Sequence, residues 1–215
     1  MDERATGIIL RTRPLTETSL IIHWLTPELG RIATVAKGAR RPKSPFRGKL
    51  DLFHAADFSF ARSRRSDLHT LREVSLRATH EALRRDLAKL QQAAYCAALI
   101  EQVTETETPI PEIHALFAEV LGHLVRHSTN AHVVLAFELK LLGELGLEPD
   151  LNAVGISANA RPLLQKLFEE TWVDLAELKP QPIELDAARR FLKGFLIYHL
   201  DRIPTGRHAA VHPSD

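Results

Sequence analysis

A dense run of lysines and arginines between Arg31 and Lys49 carries the strongest chemical signal in this sequence of 215 residues. The run holds seven cations and no Asp or Glu. Like charges repel one another and gain nothing from burial, so a run of one sign is typical of a surface that binds a polyanion. The residues that we predict to contact phosphates are Arg31, Lys37, Arg40, Arg41, Lys43, Arg47 and Lys49.

A second, shorter basic turn follows at residues 62–66, and it frames one groove with the first run if the two approach each other in space. Its cations are Arg62, Arg64 and Arg65. Nucleic-acid sites that ignore base sequence combine cations for the phosphates with aromatic rings on which bases stack. The candidate stacking residues are Trp24, Phe46 and Phe53, although each ring fits a hydrophobic core more readily. A solvated charged loop without a partner is the alternative interpretation of the basic run.

No motif of nucleotide binding or hydrolysis accompanies these cations. The sequence contains no Gly-x-x-x-x-Gly-Lys-Ser/Thr, Gly-x-Gly-x-x-Gly, Gly-x-Ser-x-Gly or His-Glu-x-x-His. A nuclease needs clustered carboxylates to hold its metal ions, whereas Asp51 and Asp57 are isolated in the basic half. We therefore predict a protein that is not an enzyme and needs no cofactor.

Two histidine pairs and one acid in an apolar segment are the remaining candidates for chemistry. His123 with His127 and His208 with His212 have the spacing that places two imidazoles on one helix face, but no third ligand is indicated near either pair. We predict solvated or capping roles for them and no metal site. Glu138 lies in the most apolar segment, and we predict that it is a hydrogen-bonded structural residue.

Charge divides the chain into two parts of opposite sign. Residues 1–80 carry 15 Lys and Arg against 8 Asp and Glu, and residues 81–215 carry 13 against 19. We expect the basic part to bind the polyanion and the acidic part to pack, position or recruit.

The single cysteine, Cys96, lies in an apolar run that is too short to span a bilayer. The sequence starts with charged residues, which are not typical of a signal peptide. A cytoplasmic protein without a disulfide is expected.

The first 80 residues contain five short strand patterns separated by turn residues. In the fourth pattern, Ala56, Phe58 and Phe60 share one face while Asp57 and Ser59 point the other way. Five such strands predict a small barrel or sandwich. The predicted strands cover residues 5–13, 18–26, 31–37, 50–61 and 68–76.

The apolar period changes to helical spacing after residue 80. The segment 132–145 is apolar on nearly every side, so we expect it to be the buried centre of a bundle. Residues 150–160 read as a connector of small residues, and the tail from Pro204 is predicted to be frayed. The predicted helices cover residues 83–97, 113–125, 132–145, 162–178 and 186–202.

Three motifs follow one another in the basic half, and a fourth lies in the most apolar helix. They are Arg13-Pro-Leu-Thr-Glu17-Thr-Ser-Leu, Leu25-Thr26-Pro-Glu-Leu-Gly30, Val35-Ala36-Lys37-Gly38-Ala39-Arg40 and Phe137-Glu138-Leu139-Lys140-Leu141-Leu142. Their order resembles the RecO family of bacterial recombination mediators, in which the first segment forms an OB-fold barrel. The resemblance implies an α+β fold with a five-stranded OB-fold barrel over residues 1–80, followed by an α-helical bundle domain over residues 81–215.

The resemblance to RecO also implies function and partners. It implies binding of single- and double-stranded DNA without base preference, annealing of complementary strands, and work with RecR to load the recombinase at gaps and breaks. Such a protein would be bacterial and would associate with the nucleoid when acting. The other implied partner is single-strand-binding protein, whose acidic C-terminal tail is received in some relatives beside an arginine where this chain has Ala136. The residues that could replace that arginine are Arg126, Lys140 and Arg207.

One departure from the family concerns a metal. Many RecO relatives carry a four-cysteine zinc module just after the motif Pro149-Asp150-Leu151, whereas residues 152–160 contain no cysteine here. We predict a compact version without the zinc module, in which more of the DNA affinity rests on the basic run. The alternative is a protein-interaction adaptor whose helical domain recruits an acidic partner without functional DNA binding.

Overall fold

The structure is a computed structural model that describes residues 2–151 and 156–213. The chain divides into two compact units. The barrel unit comprises Met1–His80 and Thr104–Ala115, and the helical unit comprises Glu81–Val103 and Leu116–Asp215. None of the helices in the described ranges combines the length and the apolar character needed to cross a membrane. Residues 152–155, part of the predicted connector at the place of the zinc module, lie outside the described residues.

Five strands form the closed barrel of the barrel unit. Their order around the barrel is β1-β2-β3-β5-β4, and neighbouring strands run antiparallel except for the parallel pair of β3 and β5. The predicted α+β class, with an N-terminal five-stranded OB-fold barrel followed by helices, is therefore confirmed. The strands are β1 Asp2–Pro14, β2 Leu20–Thr26, β3 Gly30–Ala36, β4 Ala55–Ala61 and β5 Leu68–Ala78.

Alternating apolar residues fill the barrel. Phe58 and Phe60 point inward from β4, as the sequence predicts, and join Trp24, whose ring stacks on Phe58 with centroids 4.0 Å apart. The indole N–H of Trp24 donates to the hydroxyl of Thr34 at 2.9 Å. A fully buried ring of this size contributes several kcal/mol to the stability of the barrel, provided that its polar atom is satisfied.

Strand β4 begins at Ala55, five positions later than predicted. The preceding Phe53 has a positive φ of 63°, which ends any extended run at that point. Its N–H donates to the carbonyl of Ile9 at 2.8 Å, and the N–H of Ile9 donates to the carbonyl of His54 at 2.9 Å. Residues 50–54 thus end the preceding loop and pair with β1 beside its bulge, which lies between Ile9 and Arg11.

The predicted boundary at residue 80 assigns too little of the chain to the barrel, because residues 104–115 also belong to the barrel unit. The segment is fastened at Arg31, whose guanidinium donates to the hydroxyl and the carbonyl of Thr104 and whose carbonyl accepts from Glu107 N–H at 3.0 Å. Gly30 makes this approach possible. It has a φ of +65°, and a Cβ there would come within 1.9 Å of the carbonyl oxygen of Thr108.

The helical unit begins with a short 3₁₀ helix at Glu81–Arg85. Its most apolar helix, α3, is buried on nearly every side, as predicted. The described α-helices, of which α2 starts in the barrel unit, are α1 Leu87–Val103, α2 Pro111–Arg126, α3 Ala131–Glu144, α4 Arg161–Glu169, α5 Trp172–Glu177, α6 Pro182–Leu200 and α7 Arg207–Val211.

Two helix predictions are wrong. The segment predicted as one helix over residues 162–178 is two, because Thr171 adopts an extended conformation and its hydroxyl caps α5 by accepting from Asp174 N–H. The tail predicted to be frayed forms α7 at residues 207–211. It is held from α1 by Gln92, whose amide donates to the carbonyl of Ala210 at 2.9 Å, and from α3 by Glu138, which binds Arg207.

Candidate nucleic-acid interface

The basic loop, residues 37–54 between β3 and β4, is a folded segment rather than an open excursion. Consecutive tight turns join Arg41 N–H to the carbonyl of Gly38, Ser44 N–H to that of Arg41, and Arg47 N–H to that of Ser44, at 3.0 to 3.2 Å. Gly38 has a φ of +69°, which suits the first of these turns to glycine. Backbone bonds within the loop therefore fix the path along which its cations are displayed.

Phe46 fixes the basic loop to the barrel. Its ring is only 8% exposed and belongs to the barrel core, with Leu50, Leu20 and Ala39 packed against the same cluster. A second attachment lies at the β1–β2 loop, where the N–H of Arg40 donates to the carbonyl of Thr18 at 3.0 Å. The loop is thus held at its start and near its middle, which reduces the entropy that binding a ligand would cost.

The seven cations predicted to contact phosphates separate into two groups. Arg31 is half-buried against Thr104, and Lys49 donates its ammonium to the carbonyl of Val74 at 3.0 Å, so both are engaged within the barrel unit. In the part of the chain that the structure describes, none of the other five is paired with a carboxylate. These five exposed cations are Lys37, Arg40, Arg41, Lys43 and Arg47. Arg40 also donates from its guanidinium to the carbonyl of Thr16 at 3.3 Å but remains exposed.

The basic loop encloses a hollow of about 430 Å³. Arginine side chains from both halves of the loop line it, together with Leu20, Phe46, Leu50 and the carboxylate of Asp51. Guanidinium groups bind phosphate oxygens in a bidentate fashion, so a concave arrangement of several is suited to a phosphodiester backbone. The arginines that line the hollow are Arg40, Arg41 and Arg47.

The second basic turn, at residues 62–66, lies away from the basic loop. It leads into β5, whose Leu68 pairs with Ala33 on β3, whereas the basic loop leaves the far end of β3 after Ala36. Its first cation, Arg62, is held by the carboxylates of Glu3 at 2.8 Å and Glu107 at 2.9 Å. The other two cations of this turn, Arg64 and Arg65, are exposed and have no acidic partner among the described residues. The structure thus does not bring the two basic stretches into one groove.

The three candidate stacking residues are in the core. Trp24 is fully buried, Phe53 is 2% exposed and Phe46 is 8% exposed. Trp24 and Phe46 belong to the barrel core and Phe53 is buried, so none of the three rings is exposed for a base to stack on in this conformation. Every described Trp and Phe of the barrel unit is buried, which leaves the cations as the ligand-binding groups.

A cationic cluster on the outer face of the barrel escapes the sequence analysis. Arg11 lies directly opposite His23 on the adjacent strand, and Arg13 is exposed two residues further along β1. Burial lowers the pKa of His23, and the charges of Arg11, Arg13 and Arg31 lower it further. The signal that was present is the alternation of β1, which puts residues 11 and 13 on one face.

The three residues predicted to receive a partner's acidic tail do not form one site. Lys140 donates to the carbonyls of Phe168 at 2.7 Å and Glu170 at 2.9 Å, so it caps the end of α4. Arg207 is buried in a bidentate pair with Glu138. Arg126 alone is exposed, at the end of α2. A role in binding an acidic tail is therefore not supported for Lys140 or Arg207, because both already form hydrogen bonds within the helical unit.

The prediction that Glu138 is a structural acid agrees with its contacts. Its carboxylate accepts from Tyr95 Oη at 2.6 Å and from two nitrogens of Arg207 at 2.7 and 2.8 Å. Burial and the charge of Glu138 raise the pKa of Tyr95, so the phenol stays a donor. Burial by itself would lower the pKa of Arg207, but its hydrogen bonds to Glu138 and the charge of that group raise it.

A different basic hollow, of about 370 Å³, lies between α6 and α7. Its lining includes the apolar residues Ile203, Pro204 and Val211. Four exposed basic residues also line it, and Asp186, which pairs with Arg189 at 2.8 Å, is the acid among the lining residues. The four are Arg190, Lys193, His208 and His212. They lie in two separate stretches of the sequence, at 190–193 and 208–212, so no single basic run predicts this site.

The predicted solvated role is wrong for His123, which is 1% exposed, whereas His208 and His212 are exposed. The rings of His123 and His127 stack with centroids 4.6 Å apart, and those of His208 and His212 at 4.5 Å. His123 Nδ1 donates to the carbonyl of Trp172 at 3.0 Å. Across residues 2–151 and 156–213, no three His, Cys, Asp or Glu side chains are grouped so that they could hold a metal ion.

Comparison with known proteins assigns the chain to a family. Residues 1–80 match the family model for the N-terminal part of recombination protein O, and residues 84–154 match the model for its C-terminal part. The chain is 34% identical over 143 residues to the DNA repair protein RecO of Rhodopirellula baltica, covering 66% of this chain and 53% of that protein. It is 33% identical over 146 residues to the RecO of Bacillus subtilis, covering 68% and 56%.

A longer alignment comes from Alkaliphilus metalliredigens, whose DNA repair protein RecO is 26% identical over 231 aligned positions, covering 92% of this chain and 93% of that protein. The matches to the Rhodopirellula and Bacillus proteins span only about half the length of those relatives. The two family models lie in the order that the barrel and the helices take in the structure. The chain belongs to the RecO family.

Proposed function

We propose that this protein acts in DNA repair and recombination by binding single- and double-stranded DNA through the basic loop, without base preference. The observation that carries the proposal is the set of five exposed cations on a folded loop, none of them paired with a carboxylate among the described residues. Phosphates of either strand type are suitable ligands for such cations, because the contact depends on charge and not on the base. Membership of the RecO family, whose relatives above are named DNA repair proteins, supports DNA as the polyanion.

The absence of base preference follows from what the barrel unit offers. Its described Trp and Phe rings are buried, so none of them is exposed for a base to stack on. Lysine and arginine contacts to phosphates position a strand but carry no sequence information. Affinity would then depend almost entirely on the release of counterions, and it would fall steeply as salt is added.

Strand annealing requires phosphate binding but no covalent chemistry. Two complementary strands repel each other through their phosphates, and a surface that neutralises phosphates of both lowers that repulsion. We therefore propose annealing as the activity, and loading of the recombinase at gaps and breaks together with RecR as its context. The protein is proposed to be a mediator and not an enzyme.

The helical unit is proposed to receive the acidic C-terminal tail of single-strand-binding protein. The hollow between α6 and α7 supports this better than Lys140 and Arg207, because four exposed basic residues line it together with apolar side chains. A peptide that is both acidic and apolar matches such a lining. The runner-up function, an adaptor that recruits an acidic partner without binding DNA, is favoured by this same hollow.

The test uses the full chain and labelled single- and double-stranded oligonucleotides of several sequences, followed by fluorescence anisotropy over a salt series. The double variant Arg40→Ala/Arg41→Ala should weaken binding to every sequence alike. It should also lower the slope of log K against log salt by about 1.5, since each phosphate contact contributes about 0.7 to 0.9. Annealing of complementary strands should slow in parallel.

The matched control is Arg72→Ala/Arg77→Ala, which removes two exposed cations of β5. Both lie near acids, with Arg77 bound to Asp57 at 2.7 Å and Arg72 3.7 Å from Asp2. This variant should keep the wild-type slope. An Arg40→Ala/Arg41→Ala variant with unchanged affinity and slope would refute the assignment to the basic loop. If the wild-type protein does not bind either oligonucleotide at low salt but captures the acidic tail peptide, the adaptor function holds instead.

A further inference from the structure

The outer face of strands β1, β2 and β3 carries a group of cations that the basic loop does not include. Ile22 and Trp24 on β2 point into the barrel core, so His23 between them points outward. On β3, Ile32 points inward and Arg31 therefore lies on the outer face with His23. The side chains on this face are held by paired strands, which fixes their spacing more firmly than a loop does.

Three arginines surround His23 on this face. Arg11 is its direct partner across the β1–β2 pair, and Arg13 is a diagonal neighbour two positions along β1. Arg31 is the diagonal neighbour on β3, since His23 pairs with Ala33. Side chains in direct and diagonal positions lie about 5 to 8 Å apart at their base, within reach of one phosphate group or two adjacent ones. We name these residues the strand-face cluster: Arg11, Arg13, His23 and Arg31.

The three arginines of the strand-face cluster disfavour the protonated form of His23. Burial lowers the pKa of His23, and all three arginines lower it further. Burial and Arg13 lower the pKa of Arg11, and burial and Arg11 lower that of Arg31. Of the four, Arg13 is exposed and has no acidic partner within the described chain. An anion placed here would therefore be attracted by three permanent charges.

The strand-face cluster borders the basic loop. Arg13 is followed by the β1–β2 loop, and that loop receives the N–H of Arg40 at the carbonyl of Thr18 and its guanidinium at the carbonyl of Thr16, at 3.0 and 3.3 Å. The β1–β2 loop, which also carries the exposed Glu17, therefore links Arg40 of the basic loop to Arg13 near the end of β1.

We propose that the strand-face cluster is a proton-linked phosphate site, which holds the DNA backbone next to the basic loop and in which His23 takes up a proton when a phosphate binds. This rests on the proposed DNA-binding function. The proton comes from solvent and adds to a ring nitrogen of His23, while the phosphodiester keeps its single negative charge. The guanidinium of Arg31 is held by Thr104. Arg31 and Arg11 contribute charge, whereas Arg13 and His23 contribute contacts.

The direct test follows the His23 ring by NMR in the full-length protein, with its signal assigned by comparison with a His23→Gln variant. Saturating poly(dT) oligonucleotide should raise the pKa of His23, because the bound phosphate favours the charged ring. By linkage, the affinity of the wild-type protein should rise as the pH falls below the pKa that His23 has in the complex, by roughly fivefold more than that of His23→Gln. His199→Gln, which changes an exposed histidine of α6, is the matched control and should behave as wild type.

A second measurement does not depend on the histidine. Arg13→Gln should lower the salt slope for oligonucleotide binding by about 0.7 to 0.9, whereas Arg72→Gln, on the outer side of β5, should leave it unchanged. If Arg13→Gln and His23→Gln both bind as wild type while Arg40→Ala/Arg41→Ala binds weakly, the strand-face site is refuted and the function of the basic loop stands. Failure of the wild-type protein to bind DNA refutes the proposed function itself.

Discussion

The basic loop and the centre of the helical unit use charged residues in opposite ways. In the loop, five cations are exposed and none is paired with a carboxylate among the described residues. In the helical unit, Glu138 is fully buried and binds Arg207 through two hydrogen bonds, with Tyr95 as a third partner. An exposed cation keeps its hydration and is available to a ligand, whereas a buried one is satisfied by its neighbours. Function is therefore expected where charge is left uncompensated, and stability where it is compensated.

The largest expected effect comes from breaking the compensated pair. Arg207→Ala leaves the carboxylate of Glu138 buried with Tyr95 as its remaining donor, which should lower the free energy of unfolding of the helical unit by about 3 to 5 kcal/mol. Urea unfolding monitored by Trp172 fluorescence measures this, in a Trp24→Phe background that leaves one tryptophan in the chain. DNA affinity should stay near that of the background under conditions where the unit remains folded.

The control for this prediction is Arg190→Ala, an exposed arginine of α6 that should change stability by less than about 0.5 kcal/mol. The double variant Arg207→Met/Glu138→Leu removes both charges and should recover much of the lost stability, since no isolated buried charge remains. Equal stability of Arg207→Ala and Arg190→Ala would contradict the distinction between the two kinds of cation.

The second effect is a pH dependence of the stability of the helical unit. Burial lowers the pKa of His123 to about 4, and the neighbouring His127 adds to the effect. Between pH 6.5 and 4 the unfolded chain therefore binds more protons at this residue than the folded one, so stability falls as the pH falls through this window. The loss should approach about 3 kcal/mol and should not grow below pH 4 from this residue.

His123→Gln should flatten this pH dependence while keeping a donor for the carbonyl of Trp172. His208→Gln, on the exposed part of α7, should keep it. Urea unfolding of each variant across the pH window provides the measurement. A His123→Gln protein whose stability varies with pH as steeply as the wild type would assign the dependence to other groups, of which His132 is the first to examine because burial lowers its pKa as well.

The smallest effect separates two lysines of the same charge run. Lys37 is exposed, and Lys49 donates to the carbonyl of Val74. Lys37→Gln should lower the salt slope of DNA binding by about 0.7 to 0.9 without a change in stability. Lys49→Gln should leave the slope unchanged and cost about 1 kcal/mol of barrel stability. Anisotropy titrations and thermal unfolding of both variants measure this, and a reversed pattern would place the phosphate contact at Lys49.

Much of the fold could be predicted from residue pattern. The alternation of Ala56, Phe58 and Phe60 correctly identified the inner face of β4, and the unbroken apolar character of 132–145 correctly identified the buried helix. Both signals are local and periodic, so they survive in a single sequence. The α7 segment had no such pattern. Its order depends on Glu138 and Gln92, which are distant in sequence, and a frayed tail was the natural but wrong expectation.

The positive charge of the candidate site could be predicted from the sequence. Which of its cations are exposed and which are engaged within the barrel unit could not. The run from Arg31 to Lys49 was visible as composition, yet composition does not say that Arg31 reaches Thr104 or that Lys49 reaches Val74. The strand-face cluster was missed because strand pairing, not sequence proximity, joins Arg11 to His23. Whether any of these cations contacts DNA stays a prediction for the titrations above.

Residues 104–115 belong to the barrel unit although they follow α1 in the chain. This affects how the barrel folds during synthesis and which fragments of it can be expressed. The barrel is discontinuous in the chain, because α1 is made before the segment that binds Arg31 and pairs with its carbonyl. Domains usually fold as units when the ribosome releases them, so this barrel cannot complete its contacts until residue 115 has emerged. An expressed fragment that stops at residue 80 should therefore expose Gly30 and Arg31 and be prone to aggregation, whereas a short linker replacing α1 and joining residue 80 to Thr104 should restore a soluble barrel.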